Sequence, residues 1–218
     1  MSPTPIIVLA NKPTYPNWLQ HNSRDFWGEI APCDHVVQIY SNENVVLQSL
    51  EGFAGGAFAS GESVIVIAVQ SRIDALTRRL AALGHDVDAL RAADRFIAVD
   101  ANETLSKFMV NGWPDEARFI PVVKSLMARA RGTSNRRVRA YGEMVAILWS
   151  EGHNGATVQL EHLWNAFCAT ESFCLFCAYP KSGFTTDIQN SIRHICATHT
   201  KVIAGDVSSA TEVFYKVA

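Results

Sequence analysis

The stretch Arg-Ala-Tyr-Gly-Glu-Met-Val-Ala-Ile-Leu-Trp, residues 139–149, decides how this 218-residue chain is to be read. Val138 to Tyr141 reads as a short strand, and residues 143–150 read as a helix that follows almost without a loop. A strand that feeds straight into a helix is the building unit of a parallel α/β sheet. Glu143 falls where the strand ends and the helix begins. Ligands bind along that edge of such sheets, because strand ends and helix N-termini converge there. Helix N-terminal N–H groups also favour a carboxylate. Two readings of Glu143 stand side by side: a plain helix cap, or a carboxylate that faces a ligand.

The same alternation extends to both sides. His35 to Tyr40 is a β-branched strand candidate, and Ser41 or Asn42 can cap a helix carrying Val45, Val46, Leu50 and Phe53, with Gly55, Gly56 and Gly61 closing the unit. Ser63 to Val69 is a nearly continuous β-branched run, as expected of a strand buried on both faces. Ser71 and Asp74 resemble a capping box, ahead of Ile73, Leu76, Leu80 and Leu83 at helical spacing, and Gly84 ends that helix. Phe96 to Val99 is a strand; Leu105, Phe108 and Met109 mark one helix and Phe119 to Met127 another, which Pro121 kinks or starts. Leu160, Leu163, Trp164 and Phe167 share a helix face, Phe173 to Tyr179 is a strand, and Ile188, Ile192, Ile195, Cys196 and His199 share a last helix face. Val202–Ile203 and residues 213–217 can add final strands. The expected fold is α/β, a mainly parallel sheet with helices on both faces.

Hydrophobic residues make up 48% of the chain and charged residues 18%, ample for a core. A net charge of -2 leaves no electrostatic footprint for nucleic acid. No apolar run approaches membrane-spanning length. The apolar patch Ile6 to Ala10 has no basic region before it, which argues against a signal peptide. Five cysteines, an odd number, argue against a disulfide framework, so a reduced, cytoplasmic protein is expected. Pro3, Pro5, Pro13 and Pro16 set residues 1–30 apart as an N-terminal extension, tied down by Trp18, Phe26 and Trp27, and residues 31–218 form a single domain. Arg129, Arg131, Arg136, Arg137 and Arg139 surround a Gly-Thr-Ser-Asn loop and read as a solvated loop ahead of a phosphate site.

Cys174 and Cys177 form a CxxC, but on a strand residues three apart point to opposite faces, so the two thiols cannot grip one metal. Cys196 and His199 can share a helix face, half of a metal site that His35 or Cys177 completes, or simply pack beneath the sheet. No metal and no cofactor is expected. There is no Gly-x-Ser-x-Gly elbow and no His-Glu-x-x-His. The first strand–helix junction reads Tyr40-Ser41-Asn42-Glu43-Asn44, without the glycines and lysine that wrap a triphosphate. If the strands run parallel, their C-terminal ends bring together Tyr40, Gln70, Arg72, Asp100, Glu143 and Tyr179. That aromatic and polar set suits a small organic ligand, with Trp149 and Trp164 as apolar walls or plain core.

These residues carry a family resemblance. The stretches His35-Val-Val-Gln-Ile-Tyr40, Gly61-Glu-Ser-Val-Ile-Val-Ile-Ala68, Phe108-Met-Val-Asn-Gly-Trp-Pro-Asp115, Arg139-Ala-Tyr-Gly-Glu-Met-Val145, Leu160-Glu-His-Leu-Trp-Asn165 and Cys177-Ala-Tyr-Pro180 resemble the MEDS family, the sensory domain of the dichloromethane regulator and of related methanogen and methylotroph proteins. The resemblance implies a RecA/KaiC-like three-layer sandwich lacking a phosphate-binding loop, and a role in sensing small molecules such as hydrocarbon derivatives. No segment beside the sensor is long enough for a helix-turn-helix domain, so the signal is expected to pass to a protein partner: a histidine kinase, a response regulator or an anti-sigma component. A homo-oligomer is compatible with the RecA-like fold.

The leading expectation is a non-enzymatic cytoplasmic sensor of a small organic ligand. The alternatives are a nucleotide hydrolase or transferase with Glu143 as base and Asp100 helping to hold magnesium, and a scaffold protein whose pocket is filled by side chains.

Overall fold

The computed structural model describes residues 27, 30–181, 195, 199–204 and 212–215. The expectations placed on Trp18, Phe26, Ile188, Ile192 and Cys196 lie outside them. Strands β1 (His35–Tyr40), β2 (Ser63–Ala68), β3 (Phe96–Asp100), β6 (Val138–Gly142), β7 (Cys174–Pro180), β8 (Lys201–Ala204) and β9 (Glu212–Tyr215) form one sheet in the order β3-β2-β6-β7-β1-β8-β9. Neighbours are parallel except β8 and β9, which pair antiparallel at the edge.

Both faces of the sheet are covered, which is why the β2 run Ser-Val-Ile-Val-Ile-Ala is buried at every position. On one face α1 (Glu43–Ala59), α2 (Gln70–Ala82) and α3 (Val87–Ala92) pack Leu50, Phe53, Leu76 and Leu80 against Val64, Val66, Tyr141 and Phe176. On the other, α4 (Ala101–Ser106), α5 (Glu116–Arg131), α6 (Met144–Ser150) and α7 (Asn154–Thr170) pack Leu105, Phe119, Val145 and Trp164 against Ile65, Ile67, Leu175 and Cys177. Cys174 joins the first face and Cys177 the second, as strand parity requires. Trp149 and Trp164 belong to the second core. Among the described residues no helix is long and apolar enough to cross a membrane.

Several local expectations are corrected. Asn42 does cap α1, accepting from the Asn44 N–H at 2.8 Å, but Gly55 and Gly56 lie inside that helix rather than closing it. Their bare backbone leaves room for His85 and for Trp27, whose ring sits in the core against Phe53 and Phe176. Helix α2 starts at Gln70, and no side chain caps it; Asp74 instead accepts from Gln70 Nε2 at 2.8 Å. Leu83 lies past the end of α2 and is exposed. Met109 is not helical: it pairs with Pro114 in a two-stranded hairpin, β4 (Met109–Val110) and β5 (Trp113–Pro114). Asn111 and Gly112 turn that hairpin with φ of 50° and 81°, the left-handed pair that an Asn-Gly dipeptide supplies. Of the two readings of Pro121, the structure agrees with the one that places it inside the helix, α5.

The loop at residues 132–135 is exposed, in line with a solvated loop, but the arginines that flank it are paired. Arg129 pairs with Asp94, Arg131 with Glu171, and Arg137 and Arg139 share Glu62, while Arg136 donates to Ser63 Oγ and to two carbonyls. Arg139 and Glu62 are both buried, and Arg139 Nη1 also donates to the Trp27 carbonyl at 2.6 Å, tying that residue to the sheet.

Candidate functional site

The helices after β2 and β6, adjacent strands, leave toward opposite faces of the sheet, so the chain parts there at a topological switch point. Glu143 occupies the split. Its backbone N–H donates to the Ile67 carbonyl at 2.9 Å, and its side-chain Oε2 accepts from the Val69 N–H at 3.0 Å. Glu143 stands at the N-cap position of α6 but makes no capping bond; its carboxylate reaches across to the next strand instead.

Arg72, on the first turn of α2, is the hub of this edge. Its Nη1 donates to the Tyr141 hydroxyl at 2.8 Å, and its Nη2 to the Tyr40 hydroxyl at 3.0 Å and to Glu43 Oε2 at 2.7 Å. Glu143 Oε1 lies 3.3 Å from the same Nη2. Arg72, Glu143, Tyr40 and Tyr141 are all buried, whereas the Glu43 side chain is 64% exposed. Burial pushes the Glu143 carboxyl up from its ordinary value, against the pull of Arg72 and the Val69 N–H. Burial likewise raises Tyr40, and Tyr141 well beyond it. Burial disfavours the Arg72 charge, but Tyr141, Glu143 and Tyr40 outweigh it, and the guanidinium stays protonated.

Of the six residues read from strand ends, the structure brings Tyr40, Arg72 and Glu143 together. Asp100 stays near enough for its charge to act on Glu143, but it, Gln70 and Tyr179 make their hydrogen bonds elsewhere. Gln70 bonds Asp74 on the exposed side of α2. Asp100 caps α4, accepting from the Glu103 N–H at 2.9 Å. Tyr179 points to the opposite face, where its hydroxyl donates to Glu161 Oε1. Strand parity accounts for Tyr179, whereas Gln70 lies on the exposed side of the helix that buries Arg72 and Asp100 is taken up as a helix cap. Tyr141 and Glu43 join them from outside that set: the sequence marks Tyr141 only as the end of a strand and Glu43 only as part of the turn that follows Tyr40.

A second polar group lies beneath the sheet among β1, β7 and α7. His35, Glu161, Cys177 and His199 are all buried there. His35 Nε2 is 3.5 Å from Cys177 Sγ and 3.7 Å from Glu161 Oε2, and His199 Nε2 is 3.7 Å from the same oxygen. The two imidazole rings lie 3.9 Å apart, centre to centre. His35 and Cys177 thus do meet His199, the partnership left open by the sequence, and Glu161 joins them unforeseen. An open groove of about 610 Å³ lined by Trp113, Asn154, Gly155, Val158, Gln159 and His162 contains none of these groups.

No curated protein matches the chain in sequence. Among solved structures, a KaiC-like protein from the hyperthermophilic archaeon Pyrococcus horikoshii is similar, with a TM-score of 0.54 at 12% identity over 84% of this chain and 79% of that one. The likeness establishes the architecture as a KaiC-like RecA fold. The family model described as MEDS, MEthanogen/methylotroph, DcmR Sensory domain, matches residues 34–200, most of the length, and the chain therefore belongs to the MEDS family of sensory domains.

Proposed function

We propose that this domain is a non-enzymatic sensor of a small organic molecule that passes its signal to a protein partner. The observation that carries the reading is the Arg72 hub. The Nη1 and Nη2 groups of a buried guanidinium meet Tyr40, Tyr141 and Glu143 and the exposed carboxylate of Glu43, while its Nε has no hydrogen-bond partner among the described residues. A ligand with a carboxylate or another strong acceptor group can replace Glu43 on Arg72 at low cost, because the displaced side chain already faces water. Glu43 opens α1, so its release alters how that helix is anchored to the sheet edge. Such a switch requires the ligand to favour one state over the other. A kinase, response regulator or anti-sigma component is the kind of partner that would read it.

The rival reading is nucleotide hydrolysis with Glu143 as base, favoured by the KaiC-like fold. Against it, Glu143 already holds Arg72 and the Val69 N–H, and the Asp100 carboxylate is engaged as a helix cap.

Thermal unfolding with short carboxylic acids and, separately, with magnesium-ATP distinguishes the two. A ligand at 100 times its Kd stabilises by about 2.7 kcal/mol, or roughly 5–10 °C in a domain of this size. Stabilisation by an organic acid that Arg72→Met removes supports the sensor. Stabilisation by magnesium-ATP together with phosphate release that Glu143→Gln abolishes would replace it with the hydrolase.

A further inference from the structure

We propose that His35, Glu161, Cys177 and His199 form a binding site for one zinc ion, separate from the Arg72 hub and independent of the sensing proposal. The four residues offer one ligating atom each, and these atoms all lie within 4.8 Å of one another. A tetrahedral zinc ion with bonds of about 2.0–2.3 Å sets its donors about 3.3–3.7 Å apart. The three contacts that define the cluster are 3.5, 3.7 and 3.7 Å, which is that edge length.

Three of the four donors are oriented by a contact behind them. His35 Nδ1 donates to Asn165 Oδ1 at 2.7 Å and His199 Nδ1 to the Ile195 carbonyl at 2.6 Å, since an amide or carbonyl oxygen only accepts. Both imidazoles therefore turn an Nε2 lone pair toward Glu161. The second oxygen of Glu161 is held by the Tyr179 hydroxyl. Histidine ligands whose far nitrogen is fixed by a carbonyl, and carboxylate ligands that are themselves hydrogen-bonded, are the usual outer shell of a metal site.

Glu161 Oε2, the atom at the centre of the group, has no hydrogen-bond partner among the described residues. A buried carboxylate oxygen so placed is costly unless a positive charge meets it. Zinc supplies that charge: a thiolate, a carboxylate and two neutral imidazoles carry two negative charges, and the ion cancels them. The mix of sulfur, nitrogen and oxygen suits a borderline-soft ion, whereas calcium and magnesium take oxygen ligands. Four protein donors fill the shell, the pattern of a structural ion. It would clip β1, β7 and α7 to the residue that leads into β8.

Metal content of the protein purified without a histidine tag, followed by replacement of the metal with cobalt, tests the site. About one zinc per chain is expected, with a cobalt spectrum showing tetrahedral ligand-field bands and a thiolate charge-transfer band. Cys177→Ser should remove the charge-transfer band, while Cys174→Ser, whose sulfur faces the other side of the sheet, should keep it. A folded wild-type protein that holds no zinc and gives no cobalt spectrum overturns the proposal, as does a charge-transfer band that survives Cys177→Ser. Should Cys177→Ser not fold, the wild-type stoichiometry and spectrum decide alone.

Discussion

Arg72 and Glu143 meet across the split between β2 and β6, with Arg72 Nη2 3.3 Å from Glu143 Oε1 and both side chains buried. The pair joins two strands whose helices go to opposite faces, so it holds the sheet edge together as well as shaping the candidate site. Arg72→Met strands the Glu143 carboxylate in low dielectric and is expected to cost about 3–5 kcal/mol in urea unfolding. Arg72→Met combined with Glu143→Gln should recover most of that loss. A double variant as unstable as the sum of the singles would show that the two residues act separately.

The pH dependence of stability follows from Glu143. Its folded pKa is raised by burial, so the folded state holds the proton more tightly than the unfolded chain does. The resulting stabilisation is fully present below the unfolded carboxylate value, about pH 4. It is lost as pH rises through the folded value. Glu143→Gln, which stays neutral, should therefore gain on the wild type as pH rises across the acid range, read from denaturant midpoints at a series of pH values. A constant difference would contradict the assignment.

Two glycines of α1 should respond to alanine with opposite signs. At Gly52 a Cβ would sit 2.5 Å from Trp27 Cδ1, and that ring is fixed in the core by Phe53 and Phe176. Overpacking there should cost about 1–3 kcal/mol, more than the helix-propensity gain of roughly 1 kcal/mol. At Gly55 the nearest atom to a Cβ is His85 Nε2 at 3.6 Å, an ordinary contact. Gly55→Ala should stabilise by about 0.5–1 kcal/mol. Thermal unfolding of both variants checks the pair.

Arg139 is expected to matter more than any other member of the arginine cluster. It and Glu62 are buried, and it also carries the Trp27 carbonyl. Arg139→Ala should cost about 3–5 kcal/mol by leaving Glu62 charged and desolvated, although Arg137 retains a partial hold on it. Arg129→Ala, which breaks an exposed pair with Asp94, should cost less than about 1 kcal/mol. Equal losses in the two variants would refute the distinction drawn from burial.

The strands were legible because their residues are distinctive: the β2 run is β-branched throughout, and Val138 to Tyr141 leads directly into a helix. The helix faces of α2, α5 and α7 were legible from spacing. The Asn111–Gly112 dipeptide carries a hairpin signal, but the helical spacing of Leu105, Phe108 and Met109 competes with it, and in the folded chain the turn takes Met109 into a strand. Half of the edge site was readable. Tyr40, Arg72 and Glu143 converge, whereas Tyr179 shares the face of Cys177 and so belongs with Glu161 on the other side.

What the amino-acid sequence determined by itself was local: the alternation of strand and helix, the parity that separates Cys174 from Cys177, and the glycine-free turn at Tyr40 to Asn44. Those properties depend on a residue and its near neighbours. Only the tertiary structure decided that β1 lies between β7 and β8, that the β2/β6 split places Glu143 against Arg72, and that His35, Glu161, Cys177 and His199 meet. Strand order is set by how two hydrophobic faces are covered at once, a property of the whole chain, and residues far apart in sequence acquire a common site only through it.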